Sequence, residues 1–375
     1  MASIEKRTRD GKVSWQARWR DPSGAQRKRS FARKVDADRF VTAVAADVLR
    51  GTYIAPDDGR VTFRECAEQW ARIQQHRPAT ADSVDRHLRR HVLPVLGDRP
   101  VGAVRASEVQ AFVKGLSDRL APTTTAVVYS RVAAIFAAAV RDRRIASSPC
   151  VGITLPRRPR PRVEPLPTEG VLALAEALPA RYRALVVLAA GTGLRQGECF
   201  GLDAGHVDFL RRQIRVEQQL ITISGQQPHL GPPKTDASVR TVPLPQVVLD
   251  ELAAHIAACK PGGEWGLLFT TSAGGPIWRS TWSQTWAPAV RRAGLPAGTG
   301  FHALRHYYAS LLISHGESVK VVQARLGHAT AAETIDTYAH LWPDSEDRTR
   351  EAVDCVLGSG SRAPVVPQHV ADSTS

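Results

Sequence analysis

Residues 301–341 read FHALRHYYASLLISHGESVKVVQARLGHATAAETIDTYAHL, and this stretch decides how the rest of the chain is understood. His302 and Arg305 stand three apart, so a helix would project them from one face, a turn apart. Leu304, Tyr308, Leu311 and Leu312 form an apolar stripe beside them. Gly316 and Gly327 are helix stops. The stretch therefore reads as three helices. The first carries a histidine and an arginine, His328 sits at a turn, and Tyr338 lies on the third. Each residue alone has an ordinary structural role: a buried tyrosine, a capping histidine, a solvated arginine.

Two further cationic motifs lie upstream, GTGLRQGE at 191–198 and PPKTDASVRTV at 232–242. Taken in order, Arg195, Lys234, His302–Ala–Leu–Arg305, Leu326–Gly–His328 and Tyr338 resemble the catalytic set of the tyrosine recombinase (phage integrase) family. The resemblance runs from about Phe63 to about Leu357 and is sharpest from Leu166 on. It implies a DNA strand-exchange enzyme that forms a 3′-phosphotyrosine link, frees a 5′-hydroxyl and requires neither metal nor nucleotide. Glu198 matches an acidic position of the family motif, and its expected role is to orient Arg195. Lys234 follows Pro232–Pro233, and the resemblance implies that it sits on a β-hairpin loop.

The residue types suit the chemistry. Breaking a phosphodiester needs a nucleophile, neutralised non-bridging oxygens, a proton for the leaving oxygen, and alignment. Tyr338 supplies the nucleophile, although a free phenol has a pKa of about 10 and needs a base or cations nearby. Arg195 and Arg305 present forks to the phosphate. His302 is the expected acceptor of the tyrosine proton, His328 a donor to a phosphate oxygen, and Lys234 the acid for the 5′-oxygen. Tyr307 and Tyr308 read as core.

Composition agrees. The 375 residues carry 50 Lys+Arg against 36 Asp+Glu, a formal charge of +14, which favours a polyanionic partner. Five cysteines without a CxxC pair point away from zinc and disulfide frameworks. No signal-peptide core and no membrane-length apolar run is evident, so the expectation is a cytoplasmic, nucleoid-associated protein. Rival motifs are weak. Gly191–Thr–Gly193 with Gly197 imitates a dinucleotide fingerprint but follows a helical pattern. Lys234 lacks the preceding glycine of a phosphate loop. His302 and His306 have metal-like spacing, but Arg305 beside them would repel a cation.

The expected fold is multidomain and predominantly α with small β elements. Residues 1–55 read as a small basic sheet plus helix. A strand runs over 11–20 with Val13, Trp15, Ala17 and Trp19 on one face, a second strand follows from Gln26, and Asp36 caps a helix to Arg50. The resemblance implies an arm-type DNA-binding domain here. Residues 62–150 read as an all-α domain, with capping boxes at Thr62–Glu65 and Ser107–Gln110 and arginine clusters at Arg86, Arg89 and Arg90, and at Arg131, Arg141, Arg143 and Arg144. The resemblance makes it the core-binding domain. Residues 151–167 form a Pro/Arg-rich linker, 168–357 a mixed α+β catalytic domain, and 358–375 a polar tail lacking periodicity.

The resemblance further implies double-stranded DNA with core and arm-type sites as partner, a homotetramer on two duplexes, and directionality and DNA-bending factors. A Xer-like resolving recombinase and a catalytically silent DNA-binding relative are the alternatives, and a nicotinamide-linked oxidoreductase is a more distant one.

Overall fold

The computed structural model describes residues 2–9, 12–22, 24–55, 57–157, 162–223, 225–342 and 346–357; the expected polar tail lies outside them. The chain forms two compact units, Met1–Arg160 and Pro161–Ser375. It is mostly helical with small sheets, as expected.

The first unit opens with an antiparallel sheet, β1 (Ser3–Arg9), β2 (Lys12–Arg20) and β3 (Gln26–Phe31), in the order β1-β2-β3. Helix α1 (Lys34–Leu49) packs on β2. Ala17 of β2 is buried, Trp19 of β2 packs with Val44 and Phe40 of α1, and the Trp19 indole donates to the Tyr53 hydroxyl at 2.8 Å. The sheet has three strands rather than two. Asp36 is not the cap: the helix follows Arg33, whose guanidinium pairs with Asp36 in the first turn.

The helical remainder of this unit has its own core. It comprises α2 (Phe63–Ile73), α3 (Pro78–His87), a π-helical turn at Leu88–Val92, α4 (Leu93–Leu96), α5 (Ala106–Ser117) and α6 (Pro122–Arg141). Thr62 and Glu65 form the expected capping box. At α5 the box partner of Glu108 is the Arg105 backbone N–H, so the helix starts two residues earlier than Ser107 implies. Helix α6 is, by length and composition alone, long and apolar enough to cross a membrane. Here its Val128, Val132, Ile135 and Phe136 close the core against Phe63, Val109 and Phe112.

In the second unit α8 (Arg183–Thr192) is central, packed by α7 (Thr168–Ala177), α10 (Gln246–Ala258) and α12 (His302–Ser314). Short α9 (Gln196–Phe200) follows α8. A sheet of β4 (Val207–Asp208), β5 (Gln213–Val216) and β8 (Arg240–Pro243) and a hairpin of β6 (Gln219–Ile221) and β7 (His229–Gly231) lie between α9 and α10 in sequence. Helix α11 (Arg279–Arg292) adds Trp282 and Trp286 to the core. The deciding stretch forms α12, α13 (Val319–Leu326) and α14 (Ala331–Tyr338), and α15 (Glu346–Leu357) ends the described chain.

Candidate active site

Two left-handed glycines shape the site. Gly193, at φ +66°, ends α8 and turns the chain toward Arg195. Gly327, at φ +65°, ends α13 just before His328. At both, a residue with a Cβ would be strained. Space is also short: a Cβ on Gly193 would fall 2.4 Å from Tyr308 Cδ1, and one on Gly327 2.9 Å from the Ala237 carbonyl.

The carbonyls freed by these turns hold the two arginines. Arg305, 1 % exposed, donates to Gly193 O at 2.8 Å and to Leu326 O at 2.6 Å. Arg195 donates from Nη2 to Gly327 O at 3.1 Å, and from Nη1 to Glu198 Oε1 and Ser238 Oγ. Burial, with Arg195 and Arg240 nearby, pushes Arg305 down to about 9, so it stays charged at neutral pH.

Glu198 is enclosed and caps α9 by accepting from the Arg195 backbone N–H at 2.9 Å. It also receives Arg240 in a two-pronged pair, 2.9 and 3.2 Å. Burial alone would raise its carboxyl, but Arg240 and Arg195 hold it below the usual carboxylate range. Arg240 further donates to Arg325 O and Ser238 O, tying β8 to the end of α13. Lys234 lies exposed between β7 and β8 and makes no hydrogen bond or ion pair among the described residues.

Two imidazoles, His306 and His328, flank Tyr338, and a third, His302, stands behind His306. His328 is buried, with Nδ1 2.8 Å from Thr334 Oγ1, and its ring lies parallel to that of Tyr338 with centroids 6.4 Å apart. Burial and then Arg305 and Arg195 push it down to about 3, so it is neutral. His302 is exposed in the first turn of α12, its ring edge-on to His306 at 4.6 Å. The Tyr338 hydroxyl does not bond to His302: its hydrogen bond, 2.8 Å, is to His306 Nδ1. Tyr338 is 1 % exposed, and burial pushes it up to about 12. The end of its helix is fastened by His340 Nε2 to Val163 O at 2.9 Å.

Arg195, Arg305, His302, His328 and Tyr338 thus come together, as the sequence reading expects, and Lys234 lies on the β7–β8 connection that also carries the buried Ser238. That reading missed Arg240, Ser238, Thr334 and the contact made by His306. Arg240 left a faint signal, because it alternates with Val242 and Leu244 on the inward face of β8, where a cation needs a partner. Among the described residues there is no cluster of three metal-ligating side chains.

The Phage integrase family model matches residues 167–344, and the Phage integrase central domain model matches 63–154. The chain belongs to the phage integrase family of tyrosine recombinases. The recombinase is 29 % identical over 306 residues to a XerC-like tyrosine recombinase of Caldanaerobacter subterraneus, covering 74 % of this chain and 78 % of that one. It is 27 % identical over 349 residues to a putative prophage phiRv2 integrase of Mycobacterium tuberculosis, covering 90 % of each. Its fold matches the Tn1549 transposon integrase, solved with a circular intermediate DNA, at a TM-score of 0.69 and 21 % identity, covering 79 % of this chain and 99 % of that one. Membership of the family assigns to the recombinase the cutting and rejoining of DNA through a tyrosine.

Proposed function

We propose that the protein is the integrase of a phage or integrative element, with Tyr338 as its nucleophile. The observation that carries this is the pair of locked arginines, Arg305 of which acts on the Tyr338 hydroxyl. Arg195 and Arg305 are fixed before substrate arrives, so they neutralise a phosphate without reorganising. The Tyr338 oxygen attacks phosphorus, the bond to the 5′-oxygen breaks, and Lys234 gives that oxygen a proton. The next strand's 5′-hydroxyl reverses the step, so bond energy is conserved. Thr334 fixes the His328 tautomer, leaving Nε2–H to donate to a phosphate oxygen. His302 donates from the exposed first turn of α12.

Integrase is favoured over a Xer-like resolvase because the phiRv2 relative is covered over 90 % of this chain, against 74 % for the XerC-like one. The sheet face of β2 opposite Ala17 and Trp19 supports an arm-binding role for residues 1–55. Strand register puts Arg7, Arg18, Arg20 and Lys28 there with Ser14 and Gln16. In the core-binding domain at 62–150, Arg86 and Arg89 pair with Asp82 and Asp85 one turn earlier, so on DNA they trade those carboxylates for phosphates. The expected assembly is a tetramer on two duplexes in the cytoplasm, helped by directionality and DNA-bending factors. The exposed Val353, Val356 and Leu357 of α15 offer an apolar edge to a neighbouring subunit.

The test is covalent capture on a nicked core site. Wild type forms a protein–DNA adduct, and Tyr338→Phe binds the site equally but forms none. An adduct from Tyr338→Phe would assign the nucleophile elsewhere.

A further inference from the structure

We propose that His306, one turn along α12 from His302, is the proton acceptor for Tyr338 and therefore a further catalytic residue. The proposal rests on Tyr338 being the nucleophile. Three observations carry it. His306 Nδ1 lies 2.8 Å from the phenol oxygen, within proton-transfer distance. The other candidates are committed elsewhere: His328 Nδ1 to Thr334, Glu198 to Arg195 and Arg240, while His302 meets the ring of His306 rather than the hydroxyl. Finally, Tyr338 is 1 % exposed, so bulk water is not at hand to take the proton.

The surroundings set when transfer occurs. Burial and Arg305 hold His306 below the ordinary imidazole range, so it is an unprotonated base at neutral pH. The charged and titratable groups facing it are Arg305 and His302 on its own helix and Tyr338 from α14. Taking the proton puts an imidazolium beside the Arg305 cation, which is costly in the free enzyme. A phosphate anion on Arg305 removes that cost. Tyr338 is thereby activated only when a scissile phosphate is seated.

The step balances. As the Tyr338 oxygen bonds to phosphorus, its proton passes to His306 Nδ1. The bond from phosphorus to the 5′-oxygen breaks, and Lys234 protonates the leaving oxygen. On rejoining, the incoming 5′-hydroxyl gives its proton to the neutral Lys234 amine, and the departing phenolate recovers its proton from His306.

The experiment is single-turnover cleavage of a nicked duplex by full-length His306→Gln, with DNA affinity and thermal unfolding measured alongside. Glutamine can still accept a hydrogen bond but cannot hold a proton. The expected result is normal site binding with cleavage slowed by about 10²–10⁴-fold. A 5′-bridging phosphorothiolate, whose leaving thiolate needs no proton, should rescue Lys234→Ala and leave His306→Gln slow. Cleavage by His306→Gln within about threefold of wild type, or its rescue by the phosphorothiolate, overturns the proposal. A variant that loses DNA binding shifts the decision to the wild-type pH profile. There the rate should level off above about pH 7, and a unit slope continuing through about pH 9 overturns the proposal by showing direct ionisation of the phenol. Tyr338→Phe separates the two readings: if it is inert while His306→Gln is normal, only the role of His306 fails.

Discussion

Gly193 and Arg305 are bound to each other across 112 residues of sequence: the carbonyl of the left-handed glycine accepts Nη1 at 2.8 Å. The same turn sets the direction of Arg195 two residues on. A small change at Gly193 is therefore felt by both arginines. Gly193→Ala adds left-handed strain of about 1–2 kcal/mol and a Cβ inside the Tyr308 ring contact, about 1–3 kcal/mol more. Denaturant unfolding should show a loss of about 2–5 kcal/mol, with cleavage reduced beyond the change in DNA affinity. A loss below about 0.5 kcal/mol would mean the turn relaxes freely.

Arg240 and Glu198 form a pair whose side chains are 6 % and 2 % exposed. Removing Arg240 leaves Glu198 with Arg195 as its remaining cation. Arg240→Met should therefore cost about 1.5–3 kcal/mol, the range for lost hydrogen bonds to a charged group. Glu198→Gln added to it should cost less than the two single losses together, because their shared pair is lost only once. A double-mutant cycle in urea measures this, and strict additivity would show that the pair does not interact.

Acid sensitivity follows from His302, His306 and His328, all held below the ordinary imidazole range. The unfolded chain takes up protons near pH 6.5 that the folded site refuses. Stability is therefore greatest above that value and falls as pH drops toward the folded pKa of each group. For His328, about 3 in the fold, going from pH 7 to 5 should cost about 2 kcal/mol. Thermal unfolding of wild type and His328→Asn at the two pH values checks this. An equal drop in both would place the acid sensitivity elsewhere.

Residues 1–60 hold 14 Lys+Arg and 8 Asp+Glu, a net +6. If they grip a second DNA sequence, a protein starting near Val61 should keep Tyr338-dependent cleavage of the core site yet lose recombination between a long and a short site. Bridging of two duplexes by the full chain should weaken steeply with salt. Equal integration with and without these residues would return the Xer-like reading to first place.

The deciding stretch was legible because glycine and apolar spacing are local signals. Gly316 and Gly327 end helices at left-handed turns, and Leu304 and Tyr308 are buried. Other features were not legible. Strand β1 reads SIEKRTR, with Ile4 as its single large apolar residue, so it shows no alternation and exists through pairing with β2. The start of α5 at Arg105 depends on a backbone donor, which has no residue signature. Which histidine meets Tyr338 is set by how α14 seats against α12, and i, i+4 spacing cannot distinguish the two ends of one helical turn. Arg240 became meaningful only once β8 placed it over Glu198.

The hydrogen bonds that lock the arginines also ration them. A guanidinium has five N–H hydrogens. Arg195 gives three to Glu198, Ser238 and Gly327, and Arg305 gives two to Gly193 and Leu326. Among the described residues, two donors are left on the first and three on the second. The remainder is a fixed stock, held in place by backbone carbonyls that cannot themselves turn, so an incoming phosphate must fit itself to the donors rather than draw the donors to it.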